Sequence, residues 1–364
     1  KIKYCFVFHL TGFFYFTFAS YRLRLFTPLS SGNKKWTASL DECKKANASF
    51  VTLYDDEDAM FVIKFTESVE GSCWLGLHKN ASIATNSWSN GKPLIFSHSS
   101  VNVANGTQKC EAIDRNTWRG FDCSERKYFM CYKGNNYSLV QKEKNWCQAL
   151  QYCRKHYTDL VSISSQKQNG EVIKKGNDTT FWIGLLHDNW EWVDRGCSSF
   201  RQFDKWEPHH IYTGRISEYP HLKTIQRLHQ AQYFCSKGTV RIKVIDIPLT
   251  WEEAFDYCRA NHTGLLWIRD ANDEQALRQW LNGSPVDGPF WIGLRQSRVF
   301  GFWFWTSESD SAVTVSNWKN GEPELPFSNH CAVIDKTDMK WSDENCLVPH
   351  RFLCEEEILF MNRR

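Results

Sequence analysis

A chain of 364 residues is too long for one ordinary hydrophobic core, so its length points to two or three domains. Its 44 basic and 41 acidic side chains leave a net charge of +3 with no basic stripe, which argues against a nucleic-acid partner. Fourteen cysteines, almost none in C-x-x-C pairs, argue against structural zinc and for disulfides formed in an oxidising compartment.

The first twenty residues, "KIKYCFVFHLTGFFYFTFAS", join a short basic start to an apolar run ending in Ala19 and Ser20. The pattern is that of a signal peptide, and the run, broken by His9 and Thr11, is too short and too polar to span a bilayer. The C-terminal "EEEILFMNRR" carries no spanning segment either. The expected setting is extracellular: a secreted chain, or the ectodomain of a receptor whose membrane anchor lies beyond these residues. N-x-[ST] sequons at Asn47, Asn80, Asn105, Asn136, Asn177, Asn261 and Asn282 agree with that setting, the one at Asn282 least because a proline follows its serine.

Next come three copies of one unit. A helical spacing at Trp36, Leu40 and Cys43 precedes "CWLGL" (73–77); Trp146, Ala149 and Cys153 precede "FWIGL" (181–185); Trp251, Ala254 and Cys258 precede "FWIGL" (290–294). The strand tryptophans fall at 74, 182 and 291, so the period is a whole domain. The predicted domains are 22–133, 137–236 and 240–358, with joints near 133–136 and 236–240. Residues 209–231 of the second copy break the pattern and read either as degenerate or as a wrongly assembled stretch.

The third copy is the most legible. Thr250 and Glu253 predict a capping box at the start of a first helix, and Asn272 with Gln275 a second box. Asn282-Gly283 predicts the stop of the second helix, with Pro285 preventing continuation. Short strands follow at "FWIGL", "GFWFW", "CAVID" and "RFLCE", around a long polar loop that Cys331 and Cys346 would clip. Cys258 with Cys354 would tie first helix to last strand, a closure worth about 3–5 kcal/mol through the unfolded chain. The fold class is α+β, and "GFWFW" reads as core by its alternation.

Each copy, by W-x-x-A-x-x-x-C, W-I-G-L, W-x-x-G-E-P, W-x-D and a closing cysteine, resembles a C-type lectin-like domain. Three in tandem resemble the mannose-receptor and phospholipase-receptor group, and among these the fish-type lectins with two to four such domains. The resemblance implies disulfides Cys43–Cys131 and Cys110–Cys123 in the first copy, Cys153–Cys235 in the second, and Cys258–Cys354 and Cys331–Cys346 in the third. Cys5, Cys73, Cys147 and Cys197 are left over: Cys5 would leave with the signal peptide, Cys73 reads as an inert core thiol, and Cys147 and Cys197 are candidates to pair.

The family's site also implies Ca2+ held by side-chain oxygens that share sugar hydroxyls, since a hard cation takes six to eight oxygens. Carried onto the third copy, the candidates are Glu322, Glu324, Asn329, Ser342 and Asp343, with Pro323 between the first two. Glu324 stands where the family has an amide or Asp, Asn329 where it has Glu, and Ser342 where it has Asn. Charge is kept better than geometry, and the loop reads as a remnant with at most weak Ca2+ binding. The first copy lacks the loop element, and its Glu111 faces no partner evident in the sequence. His209 and His210 of the second copy read as solvated rather than metal-binding. Expected partners are glycans or glycoproteins, with calcium-independent protein binding as the alternative.

No G-x-S-x-G, H-E-x-x-H or phosphate-cradling loop is present, so no catalytic residue is nominated. The acid pairs Asp55-Asp56 and Glu355-Glu356-Glu357 read as a helix start and a tail.

Overall fold

A computed structural model describes residues 21–66, 73–79, 86–101, 108–201, 213–216, 222–225, 229–307, 311–313, 316–324 and 329–361. The signal-like segment with Cys5, the sequons at Asn80 and Asn105, and His209-His210 lie outside the described residues.

Each repeat opens with two helices: α1 (Trp36–Lys45) and α2 (Asp56–Phe65), α3 (Trp146–His156) and α4 (Gln166–Gly176), α5 (Trp251–Asn261) and α6 (Ala271–Gly283). Capping boxes start α3 at Asn145/Gln148 and α5 at Thr250/Glu253. The second box expected at Asn272/Gln275 is not formed. Asp270 caps α6 instead, accepting from the N–H groups of Asn272 and Asp273, because the helix begins one residue after it.

A Trp strand follows each helix pair, Cys73–Lys79, Phe181–His187 and Phe290–Gln296. The recurrence of its motif has a physical cause. The helix tryptophan donates its indole N–H into the strand, Trp36 to Leu75 O at 3.0 Å, Trp146 to Ile183 O at 2.8 Å, Trp251 to Ile292 O at 3.0 Å. The strand tryptophan donates back to the carbonyl just ahead of the first helix, Trp74 to Lys34 O at 2.8 Å, Trp182 to Lys144 O at 3.0 Å, Trp291 to Leu249 O at 2.9 Å. All six rings are buried with their polar atoms satisfied. The motif glycine is needed for close approach: a Cβ at Gly293 would sit 3.1 Å from Leu266 O, to whose oxygen the Gly293 N–H donates at 2.7 Å.

In the third repeat the Trp strand lies antiparallel to Trp303–Trp305 and Cys331–Ile334 and parallel to the closing strand His350–Glu357, all from the same repeat. The leading strand Val240–Leu249 pairs with that closing strand. The first two repeats are built otherwise. The second repeat's Trp strand pairs with Asn86–Trp88, Lys109–Asp114 and Lys127–Lys133, the C-terminal half of the first repeat. The first repeat's Trp strand pairs with Trp190–Trp192 and Thr213–Ile216, from the second. The two repeats have exchanged halves, so residues 86–187 form one unit and the flanking segments, through Lys237, another.

The joint explains the exchange. Lys127–Lys133 runs straight into Asn136–Lys144 as an antiparallel hairpin with Lys133 opposite Asn136, and Gly134 takes φ +61, as the first central position of a two-residue hairpin turn requires. This local pairing costs little loop entropy. It gives the second repeat its neighbour's closing strand.

The disulfides follow the exchange. Cys43 is joined to Cys235 and Cys131 to Cys153, which corrects the expected Cys43–Cys131 and Cys153–Cys235: the closing strand beside each first helix belongs to the other repeat. Cys110–Cys123, Cys258–Cys354 and Cys331–Cys346 are bonded within their repeats, and Cys147–Cys197 clips the two exchanged units together. Cys73 is a buried free thiol, pushed up to about 12 by burial.

The third repeat shares a core with the first. Phe61 of α2 stacks on Trp280 of α6 with centroids 4.4 Å apart, and Phe26 lies beside both. No helix among the described residues is long and apolar enough to cross a membrane.

Candidate functional site

The loop carrying Glu322 is held by aromatic packing and backbone bonds. Trp341 meets Trp305 and Trp318 edge-on at 5.4 and 5.8 Å, and Trp303 meets Trp318 at 4.7 Å. Lys319 N–H donates to Trp341 O at 2.8 Å, Trp341 N–H to Asn317 O at 3.0 Å, and Glu322 N–H to Lys319 O at 3.0 Å. Trp341–Glu344 pairs with Cys331–Ile334, placing Asp343 opposite Ala332 and Ser342 opposite Val333, next to the Cys331–Cys346 clip. The Glu322–Pro323 peptide is cis.

Of the five candidates, this scaffold brings two carboxyl groups together. The Glu322 carboxyl is raised to about 7, first by its hydrogen bond with Asp343, then by burial and by the repulsion of that neighbour's charge. Asp343 is buried and its Oδ1 accepts the Glu324 N–H at 2.8 Å. Glu324 thus contributes its backbone, while its side chain is exposed. Asn329 Nδ2 reaches Asp343 O at 3.5 Å, a contact at the limit of a hydrogen bond, and Ser342 is half-buried beside it.

Two carboxyls held this close repel each other once ionised, and a cation between them would offset that repulsion. Glu322 and Asp343 therefore fit a Ca2+ ion as its anchoring pair, but among the described residues no three His, Cys, Asp or Glu side chains converge, well short of the six to eight oxygens the ion prefers.

Glu111 does have a partner. It is fully buried and accepts from His187 Nε2 at 2.9 Å and from the Ser99 hydroxyl, while His187 Nδ1 meets Asn86 Oδ1 at 2.7 Å. His187 ends the second repeat's Trp strand, so only the exchange brings it here. Both Ser99 and Glu111 approach the same ring nitrogen, which is not the serine–histidine–acid order of a nucleophilic triad. Glu355 and Glu356, read as a tail, lie in the closing strand, Glu355 buried and Glu356 half-buried: Glu355 pairs with Arg22 at 2.6 Å and Glu356 with Arg241 at 3.0 Å. In "GFWFW", Trp305 is core and Phe302 is exposed.

The family described as Lectin C-type domain matches residues 32–133, 142–219 and 247–356. C-type lectin 1 of Hydrophis hardwickii is 30% identical over 112 residues, which cover 29% of this chain and 67% of that protein. The human secretory phospholipase A2 receptor is 21% identical over 430 residues, covering 95% of this chain and 29% of that protein; human lymphocyte antigen 75 is 21% identical over 376 residues, covering 85% and 22%. The chain thus spans less than a third of the length of these two relatives. Among solved structures, human lithostathine is 22% identical with a TM-score of 0.30, covering 33% of this chain and 92% of that one. The family match and the receptor-like sequence relatives support a lectin-like recognition role. With the family matching three successive stretches that make up most of its length, the chain belongs to the C-type lectin family as a tandem protein of three lectin-like domains.

Proposed function

We propose that the chain is a non-catalytic extracellular recognition protein that binds glycans or glycoproteins, with one weak Ca2+ site in its third repeat anchored by Glu322 and Asp343. The observation that carries this reading is the pairing of those two carboxyls at the Glu322–Pro323 turn, on a loop clamped by tryptophans and a disulfide. When bound, Ca2+ would supply open coordination positions for sugar hydroxyls. Glu322 and Asp343 would hold it, and Asn329 and Ser342 lie close enough in sequence and strand to complete the rim. Glu324, with its backbone engaged and its side chain exposed, leaves one position weak.

The test is calorimetric titration of the full chain with Ca2+, alone and with mannose or galactose. Binding below millimolar Ca2+ that sugar strengthens, and that Asp343→Asn abolishes, supports the reading. Absence of any Ca2+ response overturns it in favour of calcium-independent protein binding. That second reading is favoured by the same contact: the two carboxyls already meet without an ion, and Asp343 raises the Glu322 carboxyl to about 7.

A further inference from the structure

A cleft of about 2140 Å³ opens between the second and third repeats. It is lined by the end of the leading strand Asn136–Lys144, by the last turns of α3 and α5, and by residues 356–361. Six cationic side chains line it, Lys142, Lys144, Arg154, Lys155, Arg195 and Arg259, against three carboxylates, Asp159, Glu356 and Glu357. Two of those carboxylates are engaged. Asp159 accepts from Arg154 at 3.0 Å and from Ser89, and Glu356 accepts from Arg241 at 3.0 Å.

The cations are not equivalent. Arg154, Lys155 and Arg259 sit in the final turns of helices, where a positive charge complements the helix dipole. Arg154 is moreover saturated by Asp159 and by the carbonyls of Ser89, Phe360 and Met361. Lys142 and Lys144 have no such reason. They lie two apart on a strand, hence on one face. Lys142 reaches only the ring of Tyr152, at 5.2 Å, and Arg259 only that of Phe255, at 5.2 Å. Lys144 is half-buried, and its ammonium is held below the usual lysine range by burial and then by the charges of Arg126 and Lys142. Positive charge is thus in excess here, six cations against three carboxylates, and the pull of nearby Glu356 on Lys144 does not offset burial and its like-charged neighbours.

We propose that this cleft binds a linear sulfated oligosaccharide, whose sulfates pair with Lys142 and Lys144 on one wall and Arg259 on the other. Its volume exceeds the ~300–1,000 Å³ of a small-molecule pocket, which suits an extended ligand. The disulfides and sequons place the chain where sulfated glycans are the abundant polyanions and nucleic acid is not met. None of the cleft residues belongs to the Glu322 loop, so this site needs no Ca2+.

The test is binding of a heparin fragment to the full chain in chelator, across a range of salt. The expected result is binding that weakens as salt rises, with K142A/K144A and, separately, R259A each weakening it about tenfold or more at low salt. Lys142 and Arg259 are exposed, and an unchanged thermal melt identifies variants that still fold. Dextran should not bind. Equal affinity in wild type and both variants overturns the proposal, as does equal affinity for polyglutamate of matching length, which would make the cleft an indiscriminate anion trap. Binding that disappears in chelator moves the ligand to the Glu322 loop and overturns the cleft assignment while leaving the Ca2+ reading intact.

Discussion

At the scale of single residues, the reciprocal tryptophan bonds decide which positions tolerate change. Trp291→Phe removes the N–H that satisfies Leu249 O together with part of the buried ring system. The unpaired buried acceptor alone should cost about 1–3 kcal/mol in chemical denaturation. Trp341, whose Nε1 has no hydrogen-bond partner, should lose less polar energy on the same substitution, so the pair separates hydrogen bonding from packing. Glu322 makes a second prediction. Its folded carboxyl lies above the unfolded value, so its contribution to stability is present below about pH 4.5 and lost as pH rises through about 7. Glu322→Gln, which mimics the protonated form, should therefore melt higher than wild type at pH 8 without Ca2+ and no higher at pH 5. A melting difference that ignores pH would mean that Asp343 does not raise the Glu322 carboxyl.

At the scale of elements, the helix pair with its Trp strand is self-contained, whereas its completion by a C-terminal half is not. The W…C…W-I-G-L spacing made that first half legible in all three repeats, down to the box at Thr250, whereas the box expected at Asn272 gives way to the Asp270 cap and the one at Asn145 was not expected. The pairing of halves was hidden, because the closing strands "YFMCYK" and "YFCSKG" offer each first helix nearly the same partner. The only sequence signal was the two-residue joint Gly134-Asn135, short enough to form a hairpin and too short to let the second repeat find its own closing strand first. In the calcium loop the residue types were equally legible, but whether Glu324 would present its carboxylate or its N–H to Asp343 depends on backbone direction that spacing does not encode. The hairpin argument is testable. Inserting a flexible Gly/Ser linker of about fifteen residues between Gly134 and Asn135 removes the local advantage of the hairpin, since loop entropy then disfavours it. Disulfide mapping should then find Cys43–Cys131 and Cys153–Cys235 in a substantial fraction of chains. Retention of Cys43–Cys235 and Cys131–Cys153 alone would show that the exchange is dictated by the halves themselves.

At the scale of the whole molecule, the repeats are joined by buried charge as well as by the shared Phe61–Trp280 core. Arg22 and Arg24, two residues apart ahead of the first repeat's helices, point to equivalent acids in different repeats: Arg22 to Asp273 at 3.0 Å, Arg24 to Asp58 at 3.1 Å. Arg241, at the start of the third repeat, reaches back to Asp58 at 3.4 Å and to Asp55, and forward to Glu356 at 3.0 Å. Burial works against the charged guanidinium, but these carboxylates raise it well above its usual range. Glu356 answers in kind: burial alone would raise it, yet His262, 3.8 Å away, and the charge of Arg241 hold it at about 2. A buried pair contributes little over a hydrophobic replacement, whereas removing one member strands the others. Arg241→Ala should therefore cost about 3–5 kcal/mol. Arg241→Met combined with neutral replacements of Asp55, Asp58 and Glu356 should recover much of it. Because the folded value of Glu356 lies below the unfolded one, the clasp is intact above about pH 4.5 and weakens as pH falls toward 2. Differential scanning calorimetry of the wild type from pH 6 to pH 3 should show the transition moving to lower temperature as the acid side is approached, and Arg241→Ala should flatten that dependence. A variant that keeps the full acid slope would place the pH sensitivity outside this clasp and leave the hydrophobic core of Phe26, Phe61 and Trp280 as the joint that holds the first repeat to the third.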